Sequence, residues 1–246
     1  MSTATAKLTT YPVWDRSVRI FHWLNVLCVL ALIAIGVAIL NAKALGVTDD
    51  GKILLKTVHV YFGYVFAANL TWRIIWGFIG NRYARWGSIL PFNAEHRTQL
   101  AAMKAGIKSG QPVRFLGHNP IGRLMVGLLF LLLSAQAITG LVLAGTDVYM
   151  PPFGNTIKEW IASDPSLVDS VKPYSKEAIN DIAYKEMRDV RKPFITVHYY
   201  AFYVLLAAII LHLIGVVVTE VRERNGLVSA MFTGKKVFAH KPFDAE

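Results

Sequence analysis

The sequence predicts an all-α integral membrane protein, a bundle of four transmembrane helices, and three observations lead to this fold class. The 246 residues are 54% hydrophobic with a mean hydropathy of +0.42, which is too apolar for an ordinary soluble domain. Four apolar runs reach the length of about 18 residues or more that crossing a bilayer requires. Four histidines lie inside these runs, where a polar ring is unfavourable unless it has a partner.

The four spans follow one another in a single membrane domain that we expect to cover residues 1–246. The first is too long for the apolar core of a cleavable signal peptide, so we expect it to be retained. The third begins at a helix start signal, because Asn119 is a good N-cap and Pro120 a good first helical residue. The predicted spans cover about residues 18–40, 56–79, 121–145 and 194–219.

Two of the connecting loops contain further predicted helices. In the loop 80–120, apolar residues recur at helical spacing near residues 94–108, which predicts a helix lying in the membrane interface. The loop 146–193 is the largest segment outside the membrane. A helix is predicted there from Ser175 to Val190, ahead of the fourth span.

The net charge of +10 is distributed in a way that indicates membrane topology rather than nucleic-acid binding. The N-terminal segment, the loop 80–120 and the C-terminal tail are basic, whereas the other two loops are close to neutral. By the positive-inside rule, we expect both termini and the loop 80–120 in the cytoplasm of a bacterium and the loop 146–193 outside its inner membrane. Some of the basic residues are expected to contact anionic lipid.

The only cysteine, Cys28, excludes several redox centres. It cannot form an intrachain disulfide, and without a CxxCH motif no haem can be attached covalently as in c-type cytochromes. One cysteine also cannot hold an iron–sulfur cluster.

The four histidines inside the spans fall into two pairs. The expected topology places His59 and His198 near the outer surface and His22 and His212 nearer the cytoplasm. His198 and His212 are 14 residues apart on one helix, which is a rise of about 21 Å and about 40° short of four turns, so both rings point to nearly the same face.

Two opposed imidazole pairs are what two six-coordinate haems of the b type require, and we predict two haem b groups held by His22 with His212 and His59 with His198. A single histidine in a span often only packs or forms a hydrogen bond, but four that pair in depth are hard to explain in that way. A non-haem metal is disfavoured, because the four rings do not converge on one point.

Small and basic residues on the same faces extend these predicted sites. Arg73 is 14 residues after His59 and is expected to bind an anion, either an inner haem propionate or a quinone headgroup, or else to snorkel to lipid phosphate. Arg19 is a further candidate at that end. Three glycines lie one or four turns from a histidine and would either make room for porphyrin or let helices pack closely; they are Gly36, Gly63 and Gly215.

Several stretches carry a family resemblance. They are VRIFHWLNVL at 18–27, RIIWGFIGNRYARW at 73–86, GHNP at 117–120, ITG at 138–140, the His198–His212 spacing and SAMFTGKKV near the C-terminus. These stretches resemble the b-type cytochrome subunit of NiFe hydrogenases, within the wider group of bacterial cytochrome b561-like four-helix proteins with two b haems.

The resemblance implies an electron-transfer subunit of an oxidoreductase complex that connects an extracytoplasmic redox partner with the quinone pool. The partner is a hydrogenase, another dehydrogenase or a c-type cytochrome, and electrons could flow in either direction. Quinone is expected near the cytoplasmic end of the bundle, close to Arg73, Asn81, Arg82 and His118.

Two other classes of function remain open from the sequence. One is a stand-alone cytochrome b561-type oxidoreductase that transfers electrons between superoxide and quinone without a protein partner. The other is a membrane protein without redox function, such as a transporter or an assembly anchor, which predicts no haem and tolerance of the substitution His198→Ala.

Overall fold

The structure, a computed structural model, describes residues 8–245, and most of them are helical. Four long helices are α1 (Arg16–Leu40), α2 (Asp49–Ile79), α5 (Pro120–Val148) and α7 (Asp181–Glu223). The shorter helices are α3 (Trp86–Ile89), α4 (Ala94–Lys108), α6 (Gly154–Ile161) and α8 (Leu227–Thr233). Two strands, β1 (Thr9–Pro12) and β2 (Lys235–Phe238), and two 3₁₀ segments, Arg82–Ala84 and Pro165–Ser170, complete the described elements.

The four long helices are each long and apolar enough to cross a membrane, which confirms the predicted fold class. Each contains one of the four predicted spans. Only 6–17% of the residues in their most apolar windows are buried in protein, so most of their leucine, isoleucine and valine side chains face outward. Helices with this pattern are solvated by lipid, because their backbone polar groups are satisfied internally. The chain is therefore a multi-pass membrane protein.

Two helix starts match the prediction from sequence. Helix α5 begins at Pro120, and the Asn119 side chain accepts a hydrogen bond from the Gly122 amide at 2.7 Å. Helix α4 covers Ala94–Lys108 and is capped in the same way by Asn93, which accepts from the His96 amide at 2.9 Å. Both caps satisfy an amide that has no partner within its helix.

The fourth span differs from the prediction, because it is part of a longer helix. The predicted helix at Ser175 to Val190 and the span at 194–219 merge into α7, which has 43 residues and contains Pro193. The start at Ser175 was wrong: Ala178 has a φ of 61°, which is not helical, and Asn180 caps the helix by accepting from the Ile182 amide at 3.0 Å. Pro193 removes one backbone donor, and the helix continues on both sides of it.

The chain divides into two compact units. The first unit comprises residues 1–23, 71–131 and 205–246, and the second unit comprises residues 24–70 and 132–204. Each of the four long helices contributes one part to each unit.

The core of the first unit lies beside a pair of strands that are distant in the sequence, β1 and β2. Strands β1 and β2 pair antiparallel, with Thr9 opposite Phe238. Their inward residues pack with the segments that precede α1 and α5. The buried core residues are Val13, Trp14, Val18, Ala84, Leu116, Ala230 and Phe238.

The second unit contains most of the loop between α5 and α7, folded against the N-terminal part of α7. Ile161, Val171 and Met187 form its small buried core. The carboxylate of Asp147 accepts from Lys56 Nζ at 2.6 Å and from Arg191 Nη2 at 2.5 Å, so one acid joins α2, α5 and α7. This ion triad ties the C-terminal end of α5, where the loop begins, to α2 and α7.

Candidate functional site

His59 of α2 and His198 of α7 lie next to each other inside the second unit. Their ring centres are 6.4 Å apart and the ring planes are inclined by 74°. A metal ion held between two imidazoles at metal–nitrogen distances of about 2 Å sets the ring centres about 6 Å apart, since each centre lies about 1 Å behind its nitrogen. The observed separation therefore fits an iron atom bound by both rings, as in a six-coordinate haem.

The tautomer of His198 follows from its hydrogen bond to Thr139 of α5. Nδ1 of His198 lies 2.9 Å from Thr139 Oγ1, and the hydroxyl proton points to the Ala135 carbonyl, which is 2.6 Å away. Because the hydroxyl already donates to that carbonyl, its oxygen accepts from Nδ1–H. Nε2 is then unprotonated and able to ligate a metal. Gln136 also donates from Nε2 to the His198 carbonyl at 3.0 Å.

Two glycines lie against the faces of these rings. A Cβ atom at Gly36 would lie 3.5 Å from His59 Cε1, and one at Gly140 would lie 3.5 Å from His198 Cε1. An alanine fits at that distance, but a longer side chain would occupy the space of the ring. A Cβ at Gly63 or Gly215 would meet no atom of the described chain within 4 Å, so both positions border open space.

The second histidine pair, His22 of α1 and His212 of α7, belongs to the first unit. The two imidazoles are close enough to interact electrostatically. The ring of His22 packs edge-on against Trp23, with centres 5.2 Å apart, and its Nδ1 is buried without a hydrogen-bond partner among the described residues. Such an unpaired nitrogen inside an apolar segment is unfavourable and is compatible with a ligand at this ring. The two members of each histidine pair, predicted from their depth in the membrane, therefore lie in the same unit.

Arg73 of α2 is buried in the first unit, with 4% of its surface exposed. Its Nη2 donates to the Ala84 carbonyl at 2.9 Å. The guanidinium carbon lies 5.5–5.9 Å from three ring centres, those of Phe21, Trp86 and Phe130. Cation–π contacts of this kind stabilise a charge that is shielded from water. Nη1 of Arg73 has no hydrogen-bond partner in the described chain. The guanidinium is therefore available to an acceptor that lies inside the protein.

His118 precedes α5 and stacks on Trp14, with ring centres 4.7 Å apart and planes inclined by 47°. Burial, and next the nearby cation Lys236, lower the pKa of His118 to about 3. The imidazole is therefore neutral at pH 7. Its Nδ1 is buried and has no hydrogen-bond partner among residues 8–245. The charge of Arg73 also acts on this ring, after those of Lys236 and Arg123.

The other basic and polar residues predicted near this end have different surroundings. Asn81 accepts from the Ala84 amide at 2.9 Å and donates to the Val13 carbonyl at 3.1 Å. The oxygen and the nitrogen of its side-chain amide are therefore both hydrogen-bonded to the backbone. Arg82 is exposed, with its guanidinium 5.8 Å from the centre of the Tyr83 ring. Arg19 donates to the Phe232 carbonyl in α8.

Sequence reasoning missed four residues that contact the predicted site residues. Thr139 and Gly140 belong to the ITG stretch, but no spacing within α5 connects them with a histidine on another helix. Trp14 precedes the first span and has no periodic signal. Lys236 is 2% exposed although it lies in a basic tail, because its position in β2 points inward.

The geometry defines a helical membrane protein with two histidine pairs, one of them spaced for iron, and comparison with known proteins identifies its family. A family model described as prokaryotic cytochrome b561 matches residues 13–234. The chain belongs to this family, so it is a membrane b-type cytochrome, a haem protein of electron transport. No solved structure shows significant similarity to the chain.

Several curated proteins are similar over most of the chain. A probable Ni/Fe-hydrogenase B-type cytochrome subunit from Cupriavidus necator is 24% identical over 92% of this chain and 86% of its own length. The protein of the same name from Rhizobium leguminosarum bv. viciae is 24% identical over 92% and 88%. The probable Ni/Fe-hydrogenase 1 B-type cytochrome subunit of Escherichia coli is 31% identical over 58% of this chain and 64% of its own length.

Proposed function

We propose that this protein is a di-haem cytochrome b of the bacterial inner membrane that carries electrons between an extracytoplasmic hydrogenase and the quinone pool. The separation of 6.4 Å between the His59 and His198 rings is the observation that carries the proposal, because it leaves space for one iron atom between two ligands. The hydrogenase partner is proposed because the similar proteins are named probable cytochrome subunits of Ni/Fe hydrogenases.

The chain holds the two haems at its two histidine pairs. His59 and His198 bind one of them, with Thr139 fixing the His198 tautomer so that Nε2 faces the metal. His22 and His212 bind the other. Each haem, when bound, supplies a one-electron couple. Arg73 offers its unpaired Nη1 to a haem carboxylate or to a quinone oxygen at the His22 end.

The topology of the proposal has both termini in the cytoplasm and the loop between α5 and α7 outside. That loop has its own core around Ile161 and Met187, so it presents an ordered surface. Ile182 and Val190 of α7 are 74% and 53% exposed at this end, which suits a protein contact. Electrons entering here reach the His59/His198 site first, and quinone is reduced at the other end, near Arg73 and His118.

Haem counting tests the central part of the proposal. The purified protein is compared with the variants His59→Ala and His198→Ala by pyridine haemochrome assay and reduced-minus-oxidised spectra. We expect two b haems per chain, and about one in each variant, because each loses one axial ligand of the same haem. His240→Ala, in the exposed tail, is the matched control and keeps two. A haem content that neither variant changes would refute the assignment of the pair.

Electron entry is tested separately, in membranes that contain the partner. Hydrogen added anaerobically reduces the b haems if a hydrogenase is the donor, and the reduction is lost when the hydrogenase is inhibited. Reduction by superoxide in the purified protein, with no response to hydrogen in membranes, would instead favour the stand-alone oxidoreductase.

A further inference from the structure

His118 and three further side chains, Trp14, Arg73 and Lys236, carry hydrogen-bond donors that the protein leaves largely unused. Trp14, Arg73 and Lys236 are 6%, 4% and 2% exposed. Trp14 Nε1, Arg73 Nη1 and His118 Nδ1 are buried without a hydrogen-bond partner among residues 8–245. Lys236 Nζ has three N–H groups, and within the same residues it forms one hydrogen bond, of 3.3 Å, to the Gly117 carbonyl. We refer to these four residues as the His118 cluster.

The members of the His118 cluster are close to one another in the first unit. The rings of Trp14 and His118 are in contact, and Lys236 Nζ lies 5.9 Å from the centre of the Trp14 ring. Arg73, Lys236 and His212 all act electrostatically on His118. His118 is therefore within electrostatic range of His212, a member of the His22/His212 pair.

The chemistry of the cluster selects a ligand with acceptor atoms. Indole, guanidinium and ammonium groups can only donate, and the neutral His118 ring contributes one further N–H. Buried donors without acceptors are unfavourable, so a ligand that brings oxygen lone pairs stabilises the cluster. Two such ligands come into question at this end of the bundle: a haem carboxylate and a quinone carbonyl.

The charges around Lys236 favour the neutral ligand. Glu223, Asp244 and Glu220 all act on Lys236, so three acids partly offset its positive charge. Arg73 has a single acid of this kind, Asp15, whose two oxygens already accept from the Val18 amide and the Trp76 indole. An anion is therefore suited to Arg73, and an uncharged acceptor to the rest of the cluster.

We propose that Trp14, His118 and Lys236 bind a carbonyl oxygen of the quinone headgroup. The inference rests on the proposed function and specifies its quinone site. Trp14 and His118 precede helices α1 and α5 in the chain, at the helix ends where a lipid-soluble ring reaches the polar boundary of the membrane. The indole and imidazole rings supply aromatic contacts for the quinone ring, and the N–H groups supply its hydrogen bonds.

The C-terminal tail positions His118 and completes this site. The Asp244 carboxylate accepts from the Leu116 amide at 2.5 Å and from the Gly117 amide at 2.8 Å. The Phe243 amide donates to the Arg114 carbonyl at 3.0 Å. The loop that ends in His118 is thus held by the same tail that contributes Lys236, and Asp244 is a positioning residue.

The test measures quinone binding in the full-length haem protein kept oxidised, so that no turnover occurs. Short-chain ubiquinone and menaquinone analogues are titrated by calorimetry into detergent-solubilised wild type, Lys236→Met and Trp14→Phe. Loss of one donor is expected to weaken binding about tenfold in each variant. Lys235→Met, on the exposed side of β2, and Trp160→Phe, in the loop after α5, are controls that keep wild-type affinity. Haem content stays at the wild-type value in all four.

The possible outcomes separate this inference from the proposed function. If wild type binds neither quinone analogue and its reduced haems are not reoxidised by them, the quinone part of the proposed function fails. If wild type binds and both variants bind equally well, only the assignment of Trp14 and Lys236 is overturned. If the variants keep quinone affinity but lose haem or shift the reduction potential of the His22/His212 haem, the donors hold a haem carboxylate, and the inference is wrong.

Discussion

Replacing Thr139 by valine is expected to weaken haem binding at the His59/His198 site and to leave the other site occupied. Valine keeps the shape of threonine but removes the oxygen that lies 2.9 Å from His198 Nδ1. Thr139 is 6% exposed, so water does not readily replace the lost acceptor. An unpaired buried N–H costs about 1–3 kcal/mol, which corresponds to a factor of about 5–150 in affinity. Removing the hydrogen-bond partner of a metal-bound histidine typically lowers metal affinity or activity about 10–100-fold.

The assay follows transfer of haem from the purified protein to excess apomyoglobin, together with haem content per chain. One of the two haems is expected to leave Thr139→Val about 10–100 times faster than wild type. Thr146→Val is the matched control, because Thr146 is also 6% exposed on α5 and donates to the Val142 carbonyl at 3.0 Å. Thr139→Ser keeps the hydroxyl and should restore retention. Equal transfer rates for Thr139→Val and Thr146→Val would refute the role given to this hydroxyl.

Three further predictions concern other contacts. In a haemochrome assay, Gly140→Ala is expected to keep both haems and Gly140→Leu to lose one, because a Cβ added at this position would lie 3.5 Å from the His198 ring. Equal haem contents in the two variants would contradict this. Asp147→Asn weakens both of its ion pairs, so the loop 146–193 is cleaved faster in limited proteolysis, whereas unchanged cleavage argues against the triad. Burial lowers the pKa of Lys236 to about 8, so its charged form destabilises the fold below that pH. Lys236→Met is therefore expected to raise the thermal midpoint of unfolding at pH 7, and this gain shrinks as the pH rises from 8 toward 10.5. The control Lys235→Met leaves the midpoint unchanged.

The sequence was sufficient for those features that depend on one helix at a time. Apolar run length predicted four helices, and Asn119 with Pro120 predicted where α5 begins. Helical spacing predicted that His198 and His212 share a face, and topology then paired them with His59 and His22. The structure places each predicted pair within one unit.

Features that depend on contacts between distant segments could not be read in the same way. Thr139 approaches His198 from another helix, and no local pattern marks a threonine as the acceptor for a histidine 59 positions away. Lys236 lies in a basic tail and would be expected in solvent from the sequence, but the pairing of β2 with β1 points its side chain inward. The predicted helix in the loop and the fourth span were read as separate elements, but they form one helix, because Pro193 removes only a single backbone donor within α7.

The pairing of β1 with β2 also constrains biogenesis. Thr9 leaves the ribosome long before its partner Phe238, which lies 229 positions further along the chain (238 − 9). Strand β1 therefore waits without its partner while all four spans enter the membrane. Trp14 and Lys236 come together only after β2 has been synthesised, so a chain terminated before β2 contains all four histidines but lacks the β1–β2 pairing. The pairing of β1 with β2 therefore forms only in chains whose synthesis has passed β2.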